Sequence, residues 1–268
     1  MITGENGMID GLTCLRRWRI VDKALPASGV CSASEGAEFL EPGNTDWQGV
    51  ANSYGATPAI DPGTLFQFTG SNGTSGYDSG SAGAYLDQVV IHWNVEDAGL
   101  IYHDLFFSGA KALTAGTYTV DLDDVAPAPA SAMGLSCSLG GSEFSIRNAS
   151  LTISCPGVPY NDSSTAGATS RVAGNWAASF ELDAYFDSYS SLPTKNTLQA
   201  FSIEASSTTN WTMNYMLITE VLTDIAKADQ NGRAIPNTCK IKGRWSGWSD
   251  STQGVITSPA AATLWPTA

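Results

Sequence analysis

The sequence predicts a mainly β protein, made of two tandem homologous β-sandwich or barrel-like domains with at most one or two short helices. Three observations carry this. Short alternating or β-branched runs are separated by turn residues at a spacing of about 8–12 residues. Only 15% of the 268 residues are charged and 27 are Gly, a composition poor in what long helices require. Several short motifs also recur in the same order about 125–131 residues later, a domain-sized period.

The elements follow in chain order. Thr64 to Thr69 alternates as a half-buried strand does, and Gly70 to Gly83, rich in Gly and Ser, reads as a long exposed loop. Gln88 to Val95 is β-branched and aromatic, Asp97-Ala98-Gly99 turns the chain, and Leu100 to Phe107 returns as the second arm of a hairpin. Thr117 to Leu122 is a further alternating strand. The second domain repeats the layout. Trp211 to Ile225 leads to a Gln230-Asn231-Gly232 turn and then to Thr238 to Trp245. Glu220 to Ala228 has the composition of a short helix.

The repeat is read from collinear matches. Gly11 to Cys14 recurs as Gly134 to Cys137, and Trp18-Arg19-Ile20 as Phe144-Ser145-Ile146. Gly36-Ala37, Gly43-Asn44, Tyr54 and Pro62 recur as Gly167-Ala168, Gly174-Asn175, Tyr185 and Pro193. The spacing grows along the chain, which implies insertions between Ile146 and Gly167. This divides the chain into a first domain, 1–125, a Pro/Ala linker, 126–132, and a second, diverged domain, 133–268.

Charge excludes some function classes. Thirteen Lys and Arg against 26 Asp and Glu give −13, the reverse of the basic stripe of a dedicated nucleic-acid binder. Residues 1–134 hold 5 basic and 16 acidic residues, net −11, whereas residues 135–268 hold 8 and 10, net −2. The two halves therefore offer different surfaces. No signal peptide and no membrane span are read from the sequence, and the five cysteines, none in a Cys-x-x-Cys pair, are expected to be reduced in a cytoplasm.

The chemistry-bearing residues are few. His92 and His103 lie on opposite arms of the hairpin and, with Glu96 and Asp104, have the composition of a two-His carboxylate site. Asp121, Asp123 and Asp124 are the candidates for a glycosidase carboxylate pair. Both sets read more simply as polar strand and turn residues, so no catalytic residue, cofactor or metal is expected. Trp245 and Trp248 form a local aromatic pair suited to a sugar or a partner. Arg17 and Arg19 flank Trp18, and Lys240, Lys242 and Arg244 alternate with apolar residues or glycine, so each set shares one strand face. These seven residues are the candidates for contacts between subunits, with basic strands meeting the acidic half of a neighbour head to tail.

The run Pro42 to Gly49, with Tyr54 to Pro58, Asp61-Pro62-Gly63 and Phe66 to Gly70, resembles bacteriophage tail tube proteins. So does the hairpin Val89 to Glu96 with Phe106 to Gly109. The resemblance spans about residues 12–122 and reaches the second domain through the repeat, where Asp46 and Trp47 face Ala177 and Ala178. It implies a fold whose sheets join into rings around a channel, and rings that stack into the virion tail, assembled in the bacterial host cytoplasm. Such rings hold six single-domain subunits, so a doubled chain implies a trimeric, pseudo-hexameric ring. The implied partners are further copies of the chain, other tail proteins, and double-stranded DNA that passes without specific binding. The alternative is a carbohydrate-binding β-sandwich that decorates the virion or adheres to the host.

Overall fold

The computed structural model describes residues 2–4, 6–9, 12–13, 15–24, 27–30, 38–41, 45–55, 60–71, 75–96, 99–118, 130–160, 170–186, 188–206, 209–224, 236–249 and 252–257. The first half contributes β1 (Ile2–Gly4), β2 (Asn6–Ile9), β3 (Leu12–Thr13), β4 (Leu15–Ala24), β5 (Ala27–Val30), β6 (Glu38–Glu41), β7 (Thr45–Tyr54), β8 (Leu65–Phe66), β9 (Phe68–Ser71), β10 (Gly76–Asp78), β11 (Ala84–Asn94), β12 (Leu100–Gly109) and β13 (Thr114–Gly116). The second half contributes β14 (Ser136–Leu139), β15 (Ser142–Ser154), β16 (Gly157–Tyr160), β17 (Ser170–Ala173), β18 (Ala177–Tyr185), β19 (Leu198–Ser206), β20 (Thr209–Asp224), β21 (Thr238–Trp245), β22 (Trp248–Ser249), β23 (Thr252–Gln253) and β24 (Ile256–Thr257). The mainly β expectation holds: among the described residues the one helical turn is a 3-10 turn at Tyr189–Ser191.

One large sheet runs through both halves in the order β1-β4-β7-β12-β11-β15, and β15 enters a six-stranded barrel, β15-β14-β19-β20-β21-β18, that closes back on itself. One edge of β15 is divided. Its first residues pair with β14, and Asn148 to Ser154 pair with β11 of the other half. A smaller sheet, β13-β10-β9-β2-β3, covers the first half. Alternation sorts the side chains. Val89, Ile91 and Trp93 of β11 face inward, and Val90, His92 and Asn94 face out. The buried residues form one cluster shared by both halves. Trp93 meets Trp211 edge to face at 5.2 Å across the two halves.

The two halves repeat the same ladders pair for pair. In β4·β7, Leu15 pairs with Ser53, Arg16 bulges, and Arg17 pairs with Asn52. In β15·β18, Ile146 pairs with Ala184, Arg147 bulges, and Asn148 pairs with Asp183, each 131 residues further on. The β11·β12 ladder bulges at Asp87, and the β20·β21 ladder bulges at Thr219. The preceding turns match as well. Thr64 Oγ1 donates to Asp61 O at 2.6 Å and Thr197 Oγ1 to Thr194 O at 2.5 Å, beside Gly63 (φ +84°) and Asn196 (φ +58°). Asn tolerates this left-handed position better than most residues, so the second half keeps the turn without glycine.

These registers correct part of the sequence alignment. Partners place Trp18 against Ala149 and Ile20 against Leu151, not against Phe144 and Ile146. The spacing is constant from β4 through β7, and hairpin β16·β17 matches β5·β6 at the same 131-residue interval, so no insertion separates Ile146 from Gly167. The misalignment arose because Trp18 and its true counterpart, Ala149, share no side-chain character.

Three further expectations are revised. Glu220 to Asp224 is strand, held by the β20·β21 ladder; Ile225 to Ala228 lie outside the described residues. Gly70 to Gly83 is not one exposed loop. Gly70 and Ser71 are buried in β9 and Gly76 to Asp78 form β10, so the backbone of these five residues is satisfied in a sheet; Asn72 to Thr74 lie outside the described residues. Thr117 and Tyr118 are not strand; β13 ends at Gly116, and Thr119 to Leu122 lie outside the described residues. Of the linker, Ala130 to Ala132 are described and are tied down: Ile101 N–H donates to Ala130 O and Ala132 N–H to Gly99 O, both at 2.8 Å.

Candidate functional site

The site is a surface, the open face of the large sheet. It can be built strand by strand, because alternation sends one residue in two away from the core. On β4 it carries Arg17 and Arg19, both exposed, and no ion pair joins either to another described residue. On β21 it carries Lys240, Lys242 and Arg244. The five basic candidates therefore share one face but not one cluster, since β7, β12, β11, β15 and β18 intervene.

The β21 cations are matched within the chain. Lys240 stands opposite Asp183 with Nζ 3.8 Å from Oδ2. Lys242 stands opposite Glu181 at 3.4 Å, with Glu220 at 4.0 Å on its other side. Each pair is open to solvent on at least one side and contributes little to stability, about 0–1 kcal/mol. Arg244 faces Ser179.

A groove of about 340 Å³ crosses the junction between the halves, lined by His92, Asn94, Tyr102, Ser150, Glu181 and Lys240 among others. At its first-half side His92 Nε2 lies 3.0 Å from Asp104 Oδ2, stacks on Tyr102, and Asn52 Nδ2 donates to the other Asp104 oxygen. Burial opposes the Asp104 charge. The His92 hydrogen bond and charge, with the Asn52 bond, outweigh it and hold the carboxyl below its usual range.

At the rim of the junction sits Arg147, the β15 bulge residue. It forks onto Glu96 of the first half (Nε–Oε1 2.6 Å, Nη2–Oε2 3.0 Å), reaches Asp183 at 3.2 Å, and lies over the Tyr185 ring. Its hydrogen bonds hold the Glu96 carboxyl low. The sequence reading missed Arg147, and the signal that finds it is the bulge it shares with Arg16.

The remaining candidates resolve differently. His103 is buried while His92 faces the groove, so neighbouring pleats turn the two histidines to opposite sides of the sheet and they cannot ligate one ion together. Asp121, Asp123 and Asp124 lie outside the described residues. Trp245 is half-buried against the core with its indole N–H shielded. Trp248 pairs through its backbone with Gln253 in a short hairpin. No helix among the described residues is long and apolar enough to cross a membrane. No protein-family model and no curated protein matches this chain.

Proposed function

We propose that the protein is a structural virion protein that assembles head to tail into rings, three chains to a ring, and that the rings stack into a phage tail tube. The observation that carries this reading is the β11·β15 junction. Each half presents its strands in the same order, β4-β7-β12-β11 and then β15-β18-β21-β20. The last strand of the first repeat thus pairs with the first strand of the second. A unit that joins its own repeat in this way can join another copy in the same way, and a heterologous contact of this kind closes into a ring or runs on as a filament. Closure also removes the exposed edges that make an open sheet aggregate.

In such a ring the open face lines the channel. The β21 lysines are matched by Asp183, Glu181 and Glu220, so they have little unpaired charge to trade for the counterions of DNA. Double-stranded DNA would pass without specific binding. Further copies of the chain and other tail proteins are the partners, and the site of action is the virion tail, assembled in the bacterial host cytoplasm. Electron microscopy of the purified protein across salt and concentration tests this. Rings with three-fold symmetry and six similar lobes are expected, and particles that stay monomeric throughout would overturn it.

A further inference from the structure

The repeat supplies a register for the contact between copies, and this inference rests on the ring reading. At the junction Gln88 pairs with Ser154, Val90 with Thr152 and His92 with Ser150. Through the matched ladders, β11 corresponds to β20 and β15 to β4. Carrying the junction over sets Glu220 opposite Lys23, Leu222 opposite Val21, and Asp224 opposite Arg19.

The three pairs bring Glu220, Leu222 and Asp224 of the open face opposite Lys23, Val21 and Arg19. Two are opposite charges and the middle one is apolar, the combination that stabilises neighbouring strands. Leu222 is 53% exposed, and among the described residues no strand pairs with Glu220 to Asp224 on the side away from β21. An apolar side chain on an open edge, bracketed by two acids, fits a partner edge with the opposite pattern.

The receiving edge is covered in the single chain. β1 lies along β4, pairing Ile2 with Ile20, Thr3 with Arg19 and Gly4 with Trp18. The second half shows the alternative. β2 and β14 pair with β9 and β19 in the same register, so the residues before them correspond, β1 to the segment around Ala132. That segment runs along Gly99 to Ile101 and leaves the β15 edge to β11.

We propose that β4 is the docking edge for β20 of a second copy, in the register Glu220–Lys23, Leu222–Val21, Asp224–Arg19, and that β1 is a removable cap that must leave this edge before copies join. Five full-length variants and one truncation test it. Val21→Cys with Leu222→Cys in one chain should give disulfide-linked dimers and trimers on oxidation, beyond what the wild-type cysteines or either single variant give. Arg19→Asp should weaken assembly about tenfold by setting like charges opposite, and adding Asp224→Arg should restore it. Removing Met1 to Glu5 should shorten the lag before rings appear. Rings that form without the crosslink and without the charge-swap rescue would overturn this register and leave the ring reading standing. A truncation that assembles no faster would overturn the cap. No oligomer from any variant, truncation included, would overturn both the register and the ring.

Discussion

Arg171 Nη2 donates to Asp46 Oδ1 at 2.7 Å and so fastens hairpin β16·β17 of the second half to β7 of the first. The same guanidinium donates to Gly109 O at 2.7 Å and to Gly157 O at 3.2 Å, and its side chain is only 6% exposed. The 131-residue interval places Leu40 and Ala177 where these two residues would recur. The junction within the chain therefore carries a charged pair, and the counterpart positions, one in each half, hold apolar residues.

Arg171→Ala is expected to lower unfolding free energy by about 2–4 kcal/mol, because it strands a partly buried carboxylate and two backbone acceptors. The double variant Arg171→Leu with Asp46→Ala places the counterpart residues at these positions and should lose less than the two single variants together. Urea denaturation of the four proteins measures the coupling. Strict additivity would show that the two residues do not stabilise one another.

A second exchange lies nearby. Trp47 of β7 covers Gly109 of β12, where a Cβ would run into the indole. The second repeat has Ala178 and Trp245 at these positions, so the large residue has moved to the facing strand and the volume is kept. Gly109→Ala is expected to cost about 1–3 kcal/mol by overpacking, and Trp47→Ala about 3–5 kcal/mol by leaving a cavity. Trp47→Ala with Gly109→Trp should recover part of that loss. Thermal unfolding would show it, and a double variant less stable than either single one would contradict the exchange.

These compensated pairs explain what the sequence conveyed and what it hid. The hairpin arms, Gln88 to Val95 and Leu100 to Phe107, were legible because β-branched alternation needs no knowledge of a partner. So were Lys240, Lys242 and Arg244 as one strand face. The register of the repeat was not, because Trp18 answers to Ala149, Trp47 to Ala178 and Arg171 to Leu40. For Trp47 and Arg171 the exchange is matched on a strand distant in sequence, and only the ladders reveal the match. The sides to which the histidines turn were hidden for a related reason. His92 and His103 are close in the hairpin, but the pleat sends them to opposite sides.

Asp104 makes stability depend on acid. Its folded carboxyl lies below the unfolded value of about 3.9. Between those values the unfolded chain binds more protons, so the stabilisation is present above the unfolded value and is lost as pH falls through the folded one. Asp104→Asn should therefore start less stable at neutral pH and show a shallower decline on acidification. Asp87 has the opposite sign. Burial raises its carboxyl despite the Gly157 N–H bond and the nearby Arg171 charge, so its ionisation opposes folding as pH rises through the folded value. Asp87→Asn should flatten that limb, as urea midpoints against pH would measure. Parallel curves for wild type and variants would remove both assignments.

The thiols report whether the barrel stays closed. Cys137, Cys155 and Cys239 are free and buried. Cys239 lies on β21 against β18, and burial, with the Asp183 charge, pushes its thiol up to about 11. Burial, with the neighbouring Cys239, pushes Cys137 up as well. At pH 8 a thiol at about 11 holds on the order of one part in a thousand of its thiolate, the reactive form, against roughly a quarter for an ordinary exposed cysteine. Iodoacetamide should therefore leave Cys137 and Cys239 untouched in the native protein, burial should shield Cys155, and all three should label in urea, as peptide masses would show. Labelling of Cys239 in the native state at the rate of a free thiol would mean that the β18·β21 ladder opens readily. The matched rows Asp183–Lys240 and Glu181–Lys242 would then not be fixed features of the open face.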